Sequence, residues 1–467
     1  MSQTQALDFF NYVNDVLWGW PMLIILVVTA FILTIGLRGL QITQFKYAWE
    51  LIFCKKERPD SSGDITHLQA LMTALSATVG TGNIAGVATA IAMGGPGAIF
   101  WMWMTGLLGM ATKFSEAILG IHYRIQNENG TMSGGPMYYI RYGLGSPLLA
   151  SIFAAFMAIA ALNLGNMIQS NSVADIMEST FNVPFGVTGT ILAVTTGLVI
   201  LGGITRIAAV ASAIVPVMIA VYVLAALYVV AMNASAIPGA FGLIFEGAFS
   251  GTAAVGGFMG AAVKTAMQLG LARGVFSNES GLGSAPIAAA AAKTTHPTEQ
   301  ALVSMLQTFI DTLVVCTLTA LVILTTGIWT GGENGASLTG QAFSSVFPSI
   351  AGFNIGSVIV SLSLMFFAYS TLLGWCYYGE KATEYLMGVK SIIWYRLLFI
   401  ACIFAGAVLK LELVWAMATT FTGMMILPNL YALVRLRGKV YDLTKDYLRY
   451  KHVEDKPYEN PFHFEKN

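Results

Sequence analysis

Apolar residues in this chain fall into long runs rather than into the one-sided patterns of helices and strands that cover a water-soluble core. A helix needs about 20 apolar residues to cross a hydrocarbon layer roughly 30 Å thick. Eleven runs of that kind can be read, at 20–38, 68–93, 97–122, 147–172, 187–204, 207–232, 257–292, 301–327, 350–377, 392–409 and 413–434. Most are interrupted only by Gly, Ala, Ser or Thr, the small residues that let membrane helices approach closely. The runs 68–93 and 257–292 differ, because glycines break them and polar residues stand where the middle of the membrane falls.

The first of these contains Ser76-Ala77-Thr78-Val79-Gly80-Thr81-Gly82-Asn83-Ile84-Ala85-Gly86. Each glycine costs a helix about 1 kcal/mol relative to alanine, so a continuous helix is disfavoured. An unwound segment at membrane depth is tolerated where its freed N–H and C=O groups line a cavity or hold a ligand. The second contains Gly274-Val275-Phe276-Ser277-Asn278-Glu279-Ser280-Gly281-Leu282-Gly283-Ser284-Ala285-Pro286. A carboxylate at that depth costs about 2.5–3.5 kcal/mol on insertion scales, so Glu279 requires partners or a wet cavity. Five runs begin with the first interrupted one, and the sixth is the second interrupted one. An interrupted first helix in each of two five-span halves predicts an inverted repeat with the site between the halves.

Composition sharpens this into an all-α integral membrane protein. Of 467 residues only 10% are charged while 56% are hydrophobic, against about 25% and 45–50% in soluble domains. Lys and Arg number 24, as do Asp and Glu, so no basic surplus exists to neutralise nucleic-acid phosphates. The bases cluster in alternate loops: Arg38, Lys46, Lys55, Lys56 and Arg58, then Arg124 and Arg141, Arg206, Lys293, Lys381 and Lys390, and the tail from Arg435. The opposite segments hold Asp8, Asp15, Asp175, Glu178, Glu246, Glu333 and Glu412 but one base, Lys410. By the positive-inside rule this predicts an outer N-terminus, a cytoplasmic C-terminus and a cell-membrane location. No signal peptide precedes the first run. The four cysteines, Cys54, Cys316, Cys376 and Cys402, show no metal spacing and read as packed thiols.

Polar residues on other spans extend the candidate site. Asn163, Asn166, Gln169 and Ser170 share one helical face. Ser370 and Thr371 offer hydroxyls, the hard oxygen ligands a small cation prefers, although such hydroxyls also bond their own helix backbone. Asp311 is a buried acid that is either a structural partner or a titrating group. Lys113 and Glu116, spaced i,i+3, read as a structural pair.

Three motifs carry a resemblance to a known family. The stretch Gly94-Gly95-Pro96-Gly97-Ala98-Ile99-Phe100-Trp101-Met102-Trp103-Met104-Thr105-Gly106-Leu107-Leu108-Gly109, with Val79–Gly86 and Phe276–Gly281, resembles the alanine or glycine:cation symporters of bacteria and archaea over about 15–436. The resemblance implies the amino acid–polyamine–organocation superfamily and eleven transmembrane helices: a five-plus-five inverted repeat of the leucine-transporter type with one extra N-terminal helix. Its expected organisation is an N-terminal helix and basic segment at 1–66, the first repeat at 67–232, the second with an outer loop at 233–436, and a cytoplasmic tail at 437–467. The implied activity is sodium-driven uptake of small neutral amino acids, with sodium as the coupling ion, no other cofactor and no obligate protein partner.

Applied to these residues, the substrate carboxylate is expected on N–H groups of Gly80, Thr81 and Gly82, at the positive end of the outer half-helix. Asn83 and Gln169 add hydrogen bonds, and carbonyls around Thr78 and Phe276 meet the ammonium. Phe276, followed by Ser277 and Asn278, closes over a short side chain. Sodium is expected on carbonyls near Ser76 and Val79, the carbonyl of Ala368 and the hydroxyl of Thr371. A proton-coupled transporter using Glu279 or Asp311 is the alternative. An intramembrane enzyme is disfavoured, since neither HExxH nor GxSxG occurs.

Overall fold

The computed structural model describes residues 3–53, 61–250, 259–350, 352–409 and 412–450. Cys54, Lys55, Lys56, Arg58, Lys410, the start of the run 257–292 and the tail beyond 450 lie outside them. Its helices in chain order are α1 (Gln3–Leu17), α2 (Trp20–Gly36), α3 (Phe45–Phe53), α4 (His67–Thr78), α5 (Gly82–Gly94) and α6 (Ala98–His122). Next come α7 (Pro147–Phe181), α8 (Phe185–Ile200), α9 (Gly203–Met232), α10 (Ile237–Phe249), α11 (Met259–Asn278) and α12 (Ala285–Ala290). The last are α13 (Pro297–Thr326), α14 (Gly335–Ser344), α15 (Ile355–Met387), α16 (Ile392–Val408) and α17 (Glu412–Tyr450).

Each predicted run coincides with one of these helices or with a broken pair. Among the described residues, six helices are long and apolar enough to cross a membrane, or eight if each bent pair is one span. Length and apolarity therefore do not reach the predicted eleven. The runs outside that set are α6, which contains Lys113 and Glu116, α8, with 16 residues, and the divided run α11 and α12.

The first interrupted run bends by 54° between α4 and α5. Helix α4 starts in a capping box, in which the Gln69 N–H donates to Thr66 Oγ1 at 3.1 Å and the Thr66 N–H to Gln69 Oε1 at 2.9 Å. It stops at Val79, whose φ −75° and ψ 93° are extended. In the second run, Glu279 (φ 58°) and Gly281 (φ 91°) turn the chain out of helix between α11 and α12. The half-helix α5 packs on α11, and α4 packs on α12. First half thus meets second half, the antiparallel pairing that an inverted repeat requires.

Small residues bring the helices together at this centre. A Cβ on Gly374 of α15 would lie 2.7 Å from the Ala77 Cβ, so α15 rests directly on the end of α4. Structured segments not expected from the sequence include α1, which Asn14 and Trp18 bond to the Ala416 and Thr419 carbonyls, α3, and the loop helices α10 and α14. Phe241, Phe245 and Phe249 of α10 meet the rings of Phe100, Trp101 and Trp103. The expected tail is helical in its described part, since α17 continues to Tyr450, and Tyr447 bonds Tyr47 at 2.8 Å.

Candidate functional site

A cavity of about 780 Å³ runs from exposed Asp175 and Glu178 on α7 down to Thr81, Gly82 and Phe276, at the first break and the end of α11. Arg273 of α11 lines it one turn from Phe276, with its guanidinium 6.0 Å from the Phe276 ring centre. The two breaks touch below, where a Cβ on Gly82 would lie 3.4 Å from both the Phe276 ring and the Ser277 Cα.

Three π-helical turns surround this point: Gly82–Gly86, Asn163–Met167 and Phe309–Cys316. Such turns widen a helix by one residue and re-aim its side chains, often at functional sites. The third carries Asp311, fully buried, as a hub. Its Oδ1 accepts from Asn83 Nδ2 at 2.7 Å, and its Oδ2 from Ser277 Oγ at 2.9 Å and Thr312 Oγ1 at 2.8 Å. Asn83 Oδ1 in turn accepts the Gly80 N–H at 2.8 Å. The Asn83 amide is thus engaged by protein on both ends, and it shapes the first break.

Gln169 differs. Its Nε2 donates to the Leu164 carbonyl at 3.2 Å, while its Oε1 is buried with no hydrogen-bond partner. That oxygen lies 3.8 Å from the Cβ position of Gly80. Thr371 Oγ1 approaches the same position to 2.7 Å and donates to the Phe367 carbonyl at 3.0 Å. Ser370 Oγ donates to the Ser76 carbonyl at 3.2 Å. Ser76, Val79, Ala368 and Thr371 therefore lie along the contact between α15 and the end of α4, all buried.

The side chains of other expected site residues are bonded within the protein. Thr78 Oγ1 bonds back to the Ala74 carbonyl at 3.1 Å, and Ser76 Oγ to Thr73 at 2.7 Å. Asn278 bridges Thr312 Oγ1 and the Ser280 N–H, and Glu279 accepts from the Ser284 hydroxyl, so both hold the second break in shape. Of the polar stripe on α7, Asn163 bonds its own helix, Asn166 donates to the Phe399 carbonyl, and Ser170 bonds back to Met167.

The expected Lys113–Glu116 pair does not form within 4 Å. Glu116 Oε1 instead accepts the N–H groups of Gly281 and Gly283, each at 3.1 Å, and Asn429 Nδ2 at 2.6 Å. The close approach of Gly109 to Ser280 lays α6 on the second break and turns Glu116 toward it. Glu116 and Asn429 were missed as parts of the site. A buried acid on a span was the available signal for Glu116, and its i,i+3 lysine drew attention away.

Two broken helices crossing antiparallel beneath a cavity are the arrangement of the leucine-transporter fold. The structure of MhsT in complex with L-phenylalanine matches with a TM-score of 0.56 at 13% identity, over 83% of this chain and 97% of that one. A manganese transporter of Eremococcus coleocola matches with a TM-score of 0.51 at 13% identity, over 84% and 89%. At such identity the likeness establishes the fold alone.

The chain belongs to the sodium:alanine symporter family, which it matches over residues 3–461. It is 52% identical to the sodium/alanine symporter AgcS of Methanococcus maripaludis over 443 residues, 93% of this chain and 96% of that one. It is 38% identical to a probable sodium/glutamine symporter, GlnT, of Bacillus subtilis, over 95% and 91%. The protein is accordingly a multi-pass membrane transporter and not an enzyme.

Proposed function

We propose that the protein carries alanine, glycine or both into the cell together with sodium. The observation that carries this reading is the unpartnered Gln169 Oε1, buried beside Gly80 and Thr371 beneath the cavity. An oxygen without a donor in such a place costs free energy unless a ligand supplies one. A substrate ammonium supplies it, with the carboxylate at the leading N–H groups of α5 at Thr81 and Gly82, where a helix has unpaired donors and a positive end, while the Gly80 N–H expected to join them is held by Asn83. Phe276 closes over a short side chain, and Asn83, with Ser277, acts through Asp311 by fixing the break.

Sodium is held by carbonyl oxygens at Ser76, Val79 and Ala368 and by Thr371 Oγ1. The names of AgcS and GlnT support sodium coupling and leave the choice of amino acid between them. One sodium moving down about 100 mV releases about 2.3 kcal/mol, and a tenfold gradient adds roughly 1.4 kcal/mol. The total permits accumulation of several hundredfold. The N-terminus is outside and the C-terminus cytoplasmic, so the cavity at Asp175 faces outward.

A proton-coupled reading has its own observation: the three donors to Asp311 are neutral side chains, and none is a base. The test of both is uptake of labelled alanine and glycine into proteoliposomes, with sodium replaced by potassium, lithium or a proton gradient. Accumulation only under sodium is expected. Uptake that follows pH and ignores sodium makes Asp311 or Glu279 the carrier, and no uptake under any gradient overturns the symport reading.

A further inference from the structure

The end of the bundle opposite the cavity carries a cluster of polar contacts beside buried apolar residues such as Ile65 and Ile287. Arg124, just beyond α6, donates from Nη1 to the Ala290 and Ala292 carbonyls at 2.9 and 2.7 Å. Its Nη2 donates to the carbonyl and hydroxyl of Ser62 at 2.8 and 2.9 Å. One guanidinium thereby ties the end of α12 to the segment leading into α4. The Asp64 N–H also donates to the Ala291 carbonyl at 2.7 Å, and the Lys293 N–H to the Ile65 carbonyl at 2.7 Å. Gly63 admits this approach, because a Cβ there would lie 2.4 Å from the Lys293 nitrogen.

The chain then forms an antiparallel hairpin, β1 (Ile125–Gln126) and β2 (Met132–Ser133), turned at Asn129-Gly130, where Gly130 has φ 82°. The hairpin reaches both ways. The Met132 N–H donates to Asp64 Oδ2 at 2.9 Å. On the other side Ser133 Oγ and Asn127 Nδ2 donate to Glu384 Oε1 of α15, each at 2.6 Å. Lys381 Nζ donates to Ser133 Oγ at 2.8 Å and pairs with Glu384 Oε2 at 2.9 Å. Arg124, Ser133, Lys381 and Glu384 are none of them more than 5% exposed.

We propose that Arg124 and the hairpin 125–133 form a latch that holds the inner halves of both broken helices, α4 and α12, against α15 and so closes the inner mouth. The latch rests on the transport reading given above. It joins the elements that must part for substrate to leave on that side. Opening it exchanges protein hydrogen bonds for water hydrogen bonds at a modest net cost, larger where one partner is charged, whereas parting an apolar seam exposes hydrocarbon in proportion to its area. A polar latch at the mouth is therefore poised to open, and it biases the population toward the state with the outer cavity formed.

Labelling by a membrane-impermeant maleimide tests this, with reporters at the two ends: Ala289→Cys on α12 beneath the latch, and Ala85→Cys in the cavity lining. Arg124→Gln and Glu384→Gln should each raise labelling of the inner reporter by about tenfold, the shift expected for one lost charge-assisted hydrogen bond, and lower that of the cavity reporter. Arg124→Lys should fall between. Unchanged labelling at both reporters, or a rise at both that signals general loosening, overturns the latch. If Arg124→Gln does not reach the membrane, Glu384→Gln decides alone. Labelling needs no transport, so failure of the substrate or ion reading leaves this result interpretable.

Discussion

The two broken helices are related by antiparallel pairing, yet their freed backbone is treated in opposite ways. The second break is stitched by the protein itself: Glu116 takes the Gly281 and Gly283 N–H groups, Asn429 donates to the Gly281 carbonyl at 2.9 Å, and Asn278 takes the Ser280 N–H. At the first break Asn83 takes the Gly80 N–H, while Thr81 and Gly82 border the cavity and Gln169 Oε1 stays unpartnered beside them. The two interruptions thus differ in their backbone: the freed N–H groups of the second are taken by side chains, while Thr81 and Gly82 of the first border the cavity. On the proposed function, the second break is the support and the first is the site.

Substitutions can separate these roles, and the largest effect should come from the support. Glu116→Ala leaves the buried Gly281 and Gly283 N–H groups unpaired, at about 1–3 kcal/mol each, and leaves Asn429 Nδ2 only the Gly281 carbonyl. Most of the folded protein should be lost, as read by thermal unfolding in detergent, with Glu116→Gln intermediate. Near-normal melting of Glu116→Ala would remove the distinction. Gly80→Ala acts at the other break. Its methyl meets Thr371 Oγ1 at 2.7 Å, and crowding of this kind costs about 1–3 kcal/mol. Alanine binding should fall by about a hundredfold while the melting temperature drops only modestly.

Thr371→Val removes one oxygen from the expected ion site and should raise the sodium concentration for half-maximal uptake by about tenfold. Unchanged sodium dependence takes Thr371 out of that site. The smallest effect is expected at Phe276→Leu, where alanine affinity should change by about threefold and larger neutral amino acids should compete better in uptake assays.

The sequence carried both breaks plainly, because Gly80-x-Gly82-Asn83 and Gly281-x-Gly283 are local interruptions of apolar runs and glycine clusters oppose a helix wherever they occur. It did not carry what completes them. Glu116 bonds Gly281 across 165 positions, and Asn83 bonds Asp311 across 228. Partners so far apart leave no local pattern, and the nearer Lys113 offered a plausible but unformed pair. The same limit applied to Gln169, which stood in a stripe with Asn163, Asn166 and Ser170. Which of the four faces the break depends on the π turn at Asn163–Met167, and helical periodicity assumes that no such turn is present. Helix α10 was hidden for another reason, since its glycines at 239, 242 and 247 read as loop while its aromatic face packs on rings of α6 far away in sequence.

The central claim is that the first break binds the amino acid together with sodium. Equilibrium binding of labelled alanine to the purified protein over a sodium series, for the wild type and for Gln169→Leu, tests it most directly. Wild-type affinity should rise with sodium, and Gln169→Leu should bind about tenfold more weakly at saturating sodium with an unchanged melting temperature. Alanine binding that is independent of sodium, or unaltered by Gln169→Leu, would contradict the account.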